Sequence, residues 1–467
     1  MIYNFTNLNI EILHDLKQRK LSKNYYKKYN KLNPKIYNFL KIIKHLLNFF
    51  TNLPSIFIRI FKTSFAKNFI KKKKYKIIVF IDEKLVDQKS TFLFCKILKK
   101  QKKGYLIINK TINKKLLKKE NYINYDNFIS YNLIFKFTFR AIINFIQFKK
   151  FIKINNFSDL NKVYLFNIYF KYIFDSCIAE DIYKYFNPDY IYINQNSLNY
   201  QNIIETLKLY NNKIQIVGNC FNGVKLSNQI LTIEYLWNAI DHLLCFGALD
   251  AGEFLKIKKK KFLKVPKKIY KIGSPRDYIF KSSKKKKINK TILFIKSNPN
   301  MQKNFDEKAM LFFLRAMNRF KFKNKIQVVI KDRAQINQQT SLNKLKNEYN
   351  GPIKIIKSEY ELTEKLISNS DLIIGTYSTS FIYQSIFFRK PIIQIYGNKV
   401  YWCNLRKYGI KVCNKDEDLD KEIKNFYFNF NNFKSKKLKN IKKLRKKLFS
   451  NKNTESNLGN FIKKIII

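Results

Sequence analysis

Four hydroxyl side chains, Thr376, Ser378, Thr379 and Ser380, fall within five residues directly after the apolar run DLIIG (371–375). A strand that ends in such a turn and opens a helix aims backbone amides and hydroxyls at one point, which suits a phosphate. Capping the helix needs only one of the four. Cations stand behind other apolar runs: Arg276 in GSPRD (273–277), Lys296 after TILFI, and Lys331 and Arg333 in IKDR (330–333). A leaving phosphate needs charge stabilisation more than a proton, so this set suits a nucleoside diphosphate. Each cation also has a plainer use: Arg276 as a salt-bridge partner of Asp277 or Asp250, and the lysines as solvated charges.

The carboxylates placed to act as a base are Asp82 and Glu83 behind IIVFI, and Asp250 and Glu253 behind Gly247. Helix capping or a surface charge is the simpler account of each of them taken singly. Asn219 and Asn222, after IQIVG (214–218), suit the hydroxyls of a sugar. Histidine is nearly absent: His14 and His45 lie near the start, and His242 opens an apolar run where a buried structural ring is expected. The six cysteines (Cys95, Cys177, Cys220, Cys245, Cys403, Cys413) form no CxxC pair, which argues against disulfides and zinc and for reduced, buried thiols in the cytoplasm. No P-loop, HExxH or GxSxG occurs, and neither a metal nor a cofactor is expected.

These residues need a scaffold that brings strand ends together. Apolar runs at 75–82, 104–109, 188–193, 214–218, 242–247 and 267–273 alternate with amphipathic stretches such as 90–101 and 197–211. Continuous apolar strands separated by helices indicate parallel sheets covered on both faces. After four lysines at 284–287, which read as a linker, the alternation restarts with runs at 291–296, 326–331, 353–357, 371–375, 391–396 and 410–413. Ser358 and Glu361 form a capping box for a helix over 359–369. The expected architecture is α/β: two Rossmann-like, doubly wound domains facing a cleft, over 75–283 and 284–415. A helical arm precedes them (1–74), and a helical, Lys-rich tail follows (416–467).

The formal charge of +61 over 467 residues admits two explanations. A nucleic-acid binder gains affinity by counterion release. Yet the lysines are spread along the whole chain, and no nucleic-acid-binding motif appears. Lys, Asn, Ile, Tyr and Phe, all with AT-rich codons, dominate, so composition accounts for the charge and no specific nucleic acid is expected. The stretch 36–70 is apolar but is interrupted by Lys41, Lys44, His45, Arg59, Lys62 and Lys67, with Pro54 inside it, so it does not span a bilayer. Basic amphipathic helices of this kind lie on an anionic membrane surface or pack on the protein body, and both placements satisfy the sequence.

With those motifs in view, the segment 370–391 (SDLIIGTYSTSFIYQSIFFRKP) resembles the C-terminal half of GT-B-fold glycosyltransferases. That superfamily includes UDP-N-acetylglucosamine 2-epimerases, CDP-glycerol glycerophosphotransferases and bacterial surface-carbohydrate biosynthesis proteins. The run IQVVIKDRAQ (326–335) resembles the preceding strand and its IKPHP-like loop. Residues 241–280, with Gly247, Gly273, Pro275, Arg276 and Asp277, are similar to the surface-carbohydrate pattern in the first half. The chain departs from these patterns at three places: Gln384 replaces an acidic residue, Arg389 replaces the glycine before Lys-Pro, and Arg333 replaces the histidine of the HP loop.

The resemblance implies a transferase of surface-polysaccharide synthesis at the cytoplasmic face of the membrane. Its donor is a nucleotide-sugar or CDP-polyol, and its acceptor a glycan or lipid-linked glycan. Donor binding falls to Lys331, Arg333, Thr376, Ser378, Thr379, Ser380 and Gln384, and catalysis to Asp82, Glu83 and Arg276. A 2-epimerase is disfavoured by the unmatched acid and histidine. A non-catalytic scaffold or sugar-binding protein of the same pathway is the alternative.

Overall fold

The computed structural model describes residues 73–81, 85–109, 121–154, 159–194, 200–219, 240–257, 268–274, 290–296, 299–332, 345, 347–356, 363–376, 380–395, 405–449 and 453–466. The arm up to residue 72, the 284–287 linker, and Ser358 and Glu361 lie outside these residues.

Two parallel sheets carry the molecule. The first contains β1 (Ile77–Ile81), β2 (Tyr105–Asn109), β3 (Tyr122–Asn124), β4 (Tyr190–Asn194), β5 (Gln215–Asn219), β6 (His242–Cys245) and β7 (Lys268–Lys271), in the order β3-β2-β1-β4-β5-β6-β7. The second contains β8 (Lys290–Ile295), β9 (Ile326–Lys331), β10 (Ile353–Ile356), β11 (Leu372–Gly375), β12 (Ile392–Ile395) and β13 (Lys411–Cys413), in the order β10-β9-β8-β11-β12-β13. Counted within its own sheet, each half runs 3-2-1-4-5-6, the doubly wound order, and the first adds a seventh strand. All the expected strands form. The additional one, β3, is a three-residue edge strand with Tyr122 exposed, too short to leave a pattern.

The strands form because their Ile-, Val- and Phe-rich sequences are buried on both faces: all five residues of β1 have no exposed surface. Helices cover those faces. In the first domain these are α1 (Leu85–Lys100), α2 (Tyr131–Ile154), α3 (Asp159–Phe186), α4 (Gln201–Tyr210) and α5 (Ala248–Ile257). The second domain has α6 (Pro299–Asn318), α7 (Thr363–Asn369), α8 (Ser380–Phe387), α9 (Asp416–Phe428) and α10 (Phe430–Leu448). No helix among the described residues is long and apolar enough to cross a membrane.

The last helix, α11 (Thr454–Ile465), crosses back to the first domain. Its Leu458, Phe461 and Ile462 share a buried cluster with Ile77, Val79, Phe94 and Tyr192. Tyr190 donates to the Ile465 carbonyl at 2.6 Å, and Lys100 pairs with Glu455 at 2.7 Å. Of the Lys-rich tail, α9 and α10 thus cover the second domain and α11 is a layer of the first.

Two glycines singled out in the sequence sit on this crossing. A Cβ at Gly247 would lie 2.3 Å from the Leu448 carbonyl oxygen, and one at Gly273 2.4 Å from Thr454 Oγ1, where φ is +92° as well. Phe246 stacks on Phe449 beside them, with ring centroids 5.8 Å apart. Backbone, which cannot step aside, meets Gly247. Gly247→Ala is thus expected to destabilise the fold by about 1–3 kcal/mol through overpacking, read as a lower midpoint in denaturant unfolding.

Candidate functional site

In a parallel sheet all carboxyl ends lie on one edge, and a crevice opens where the strand order reverses. In the second sheet that point lies between β8 and β11, whose ends Ile295 and Gly375 are in register. Lys331, in register with Ile295 on the other side, is half-buried. Beyond Gly375 the chain passes through buried Thr376 and enters α8 at Ser380. Gln394 of β12 holds this turn from below: its amide donates to the Thr376 carbonyl at 2.8 Å, and its Oε1 accepts from the Leu405 amide at 2.9 Å. The edge thus brings Lys331, Thr376, the N-terminus of α8 and Gln384 into one neighbourhood. Gln384 is buried on α8, 1% exposed.

Lys296, directly after β8, has its ammonium 2.7 Å from Asp332 Oδ1, the two side chains being 7% and 0% exposed. This is a correction to its reading as a charge for an anionic ligand: Asp332 neutralises it, and the pair clamps the ends of β8 and β9. Asp332 is adjacent to Lys331 in sequence, but nothing in the sequence shows that it turns toward Lys296.

The corresponding edge of the first sheet reverses between β1 and β4. Here β2, β3, β4 and β5 each end on asparagine, with Asn109 in register with Asn124 and Asn194 with Asn219. Asn219 Nδ2 donates to Asn194 Oδ1 at 3.2 Å, and Asn194 Nδ2 donates to Thr91 Oγ1 of α1 at 2.7 Å. Asn109, Asn194, Asn219 and Thr91 are all buried. The Oδ1 atoms of Asn109 and Asn219 meet no hydrogen-bond donor among the described residues. A buried acceptor left unsatisfied costs roughly 1–3 kcal/mol. Of this row the sequence reading singled out Asn219. The signal for the others was available, since YLIIN, YIYIN and QIVGN all close on the same residue.

Six of the expected site residues, Asp82, Glu83, Arg276, Arg333, Ser378 and Thr379, lie outside the described residues, as do Asn222 and the side chains of Ser380 and Glu253. In sequence, Asp82 and Glu83 follow β1 directly. Asp250 is wholly buried on α5. His242 sits at the amino end of β6, away from both edges, against the rings of Tyr270 and Phe461, as a structural imidazole would. Cys95, Cys177, Cys245 and Cys413 are buried free thiols, and burial pushes Cys177 up to about 11. No group of side chains among the described residues is arranged to hold a metal ion. A recess of about 410 Å³ between α1 and α11, lined by Lys100, Gln101 and Glu455, lies at the far end of α1 from the asparagine row.

No family model matches the chain, and no curated protein matches it in sequence. Solved structures match its fold. The S. aureus protein MnaA with UDP superimposes with a TM-score of 0.53 at 11% identity, over 83% of this chain and 96% of that one. The UDP-GlcNAc 2-epimerase of Neisseria meningitidis bound to UDP-GlcNAc gives 0.53 at 10% identity, over 84% and 98%. A putative UDP-N-acetylglucosamine 2-epimerase from Listeria monocytogenes gives 0.51 at 11%, over 83% and 94%. The architecture is therefore of the GT-B type, two Rossmann-like domains across a cleft.

The structure also explains one departure from the family's motif. Arg389 adopts φ +53° just past α8, with its amide on the Ile386 carbonyl and the Lys390 amide on the Ser385 carbonyl. This is a Schellman cap, whose left-handed residue is usually glycine. Arg389 is exposed, so Arg389→Gly removes strain and little packing. It is expected to raise stability by about 0.5–1 kcal/mol, measured by chemical denaturation.

Proposed function

We propose that the protein transfers a sugar, or a polyol phosphate, from a nucleotide-activated donor to a hydroxylated acceptor in surface-glycan synthesis at the cytoplasmic face of the membrane. The observation that carries this reading is a pair of complementary edges. At the reversal of the second sheet stand a helix N-terminus and a half-buried lysine, groups that suit phosphates. At the reversal of the first sheet stands a row of uncharged asparagines, two of whose acceptor atoms meet no donor among the described residues, which suits hydroxyl donors.

In this reading the donor's diphosphate lies against the 376–380 turn, with Lys331 and Arg333 alongside and Gln384 behind. The acceptor lies over Asn109, Asn194 and Asn219. For sugar transfer the acceptor oxygen bonds to the anomeric carbon as the bond to the nucleotide phosphate breaks. The acceptor's proton passes to Asp82 or Glu83, and Arg276 stabilises the charge left on the departing phosphate. UDP is the donor nucleotide to test first, because two of the three similar structures hold UDP or UDP-GlcNAc.

A UDP-sugar is expected to raise the melting temperature of the full chain in a thermal-shift screen that includes GDP-, CMP-, CDP- and dTDP-linked donors and CDP-glycerol. Ser378→Ala with Ser380→Ala abolishes the rise while leaving the unliganded melting temperature within about a degree. A screen in which no donor shifts the melting temperature would instead support the non-catalytic scaffold.

The acceptor side has its own test. Asn109→Leu replaces a buried unsatisfied amide by an apolar side chain of similar size, so stability holds or rises. Transfer falls about tenfold through a higher acceptor KM, with the donor-induced shift unchanged, because a hydrogen bond to the acceptor is lost.

A further inference from the structure

The outer face of α2 has no place in the reading above. Between Tyr131 and Phe145 its exposed positions are Tyr131, Asn132, Phe135, Thr138, Phe139, Ile142 and Ile143. Five of the seven are large and apolar, with Phe135 76% and Ile142 67% exposed, and none is charged in a chain that is 27% charged. Phe135 and Phe139 stack on each other in the open, with ring centroids 6.5 Å apart. The positions recur every three or four residues, so they form one stripe about 18 Å long. An exposed apolar stripe of this kind marks a surface that something covers.

The charge pattern indicates the occupant. On the inner side of α2, Lys136 reaches Glu180 at 2.9 Å and Asp181 at 3.2 Å of α3, and Arg140 reaches Glu180 at 2.5 Å, so these cations are engaged within the domain. Along its length α2 carries Lys136, Arg140, Lys149, Lys150 and Lys153 and no acidic residue. The preceding connection adds Lys110, Lys114, Lys115, Lys118 and Lys119, so residues 110–157 hold ten basic residues against two acidic ones, Glu120 and Asp126. A second copy of the chain, itself at +61, is repelled from such a surface. Apolar and aromatic side chains on a helix whose sequence carries basic and no acidic residues match the interface of an anionic bilayer.

We propose that the protein docks on an anionic lipid surface through this face of α2, with Phe135, Phe139 and Ile142 as its apolar anchors. This attachment is separate from any made by the arm at 1–74, and it does not depend on the transfer reaction.

The full chain should co-float with phosphatidylcholine vesicles containing about one third phosphatidylglycerol at near-physiological salt, and only weakly with pure phosphatidylcholine. Phe135→Ser, Phe139→Ser and Ile142→Ser together should lower the partition coefficient on the anionic vesicles about tenfold. A separate Phe139→Trp variant should show a blue-shifted emission when those vesicles are added. Equal flotation of the triple variant, no flotation of the parent chain, or no spectral shift from the introduced tryptophan would each overturn the proposal. So would a dimer seen by light scattering that the triple substitution dissolves, since a second copy would then be the occupant.

Discussion

Everything in this molecule follows from parallel pairing of strands that are buried on both faces. Such strands have no room for chemistry along their length, since each central residue is sealed between two layers of helices. Parallel pairing also aligns every carboxyl end on one edge, where the helices that follow begin. Polar groups consequently collect at two edges and at the reversal point of each. The uncharged row on the first sheet and the amide- and lysine-lined turn on the second are the two outcomes of one geometric rule applied to different end residues.

The same economy governs how the halves are joined. Phe246 and Gly247 leave the first sheet at the point where α10 ends on Leu448 and Phe449. The chain then returns through α11 to finish the layer beneath β1 and β4. A glycine is needed where carbonyl meets backbone, and another where φ turns positive beside Thr454. Motif residues that look ligand-related in sequence thus answer to packing. At Arg389, by contrast, the chain tolerates the strain of a non-glycine residue, because a helix cap at the surface loses only a modest amount of stability by it.

Most of the scaffold was legible in the sequence because a doubly buried strand is a continuous apolar run that little else imitates. The restart of those runs after residue 290 marked the second sheet. The unread parts are informative. β3 is three residues at an edge, and α2 and α3 are apolar along so much of their length that periodicity does not delimit them. The return of α11 is a tertiary fact, invisible to a local pattern. At the site, hydroxyls after a strand were readable from spacing. The Lys296–Asp332 clamp was not, since two neighbouring strands must first be paired before those side chains meet. The asparagine row lay between these cases: each terminal residue was in plain view, but their alignment required the strand order.

The placement of α11 also sets an order of events during synthesis. The first domain's sheet contains strands from residues 77 to 271, yet one of its covering helices begins at residue 454. Until that helix emerges, Ile77, Val79, Phe94 and Tyr192 lack the side chains that cover them in the finished molecule. The N-terminal half of the chain must therefore wait, partly uncovered, through the translation of the whole second domain. Its solubility in that interval depends on the dense positive charge of the nascent chain and on chaperones that hold exposed apolar surface.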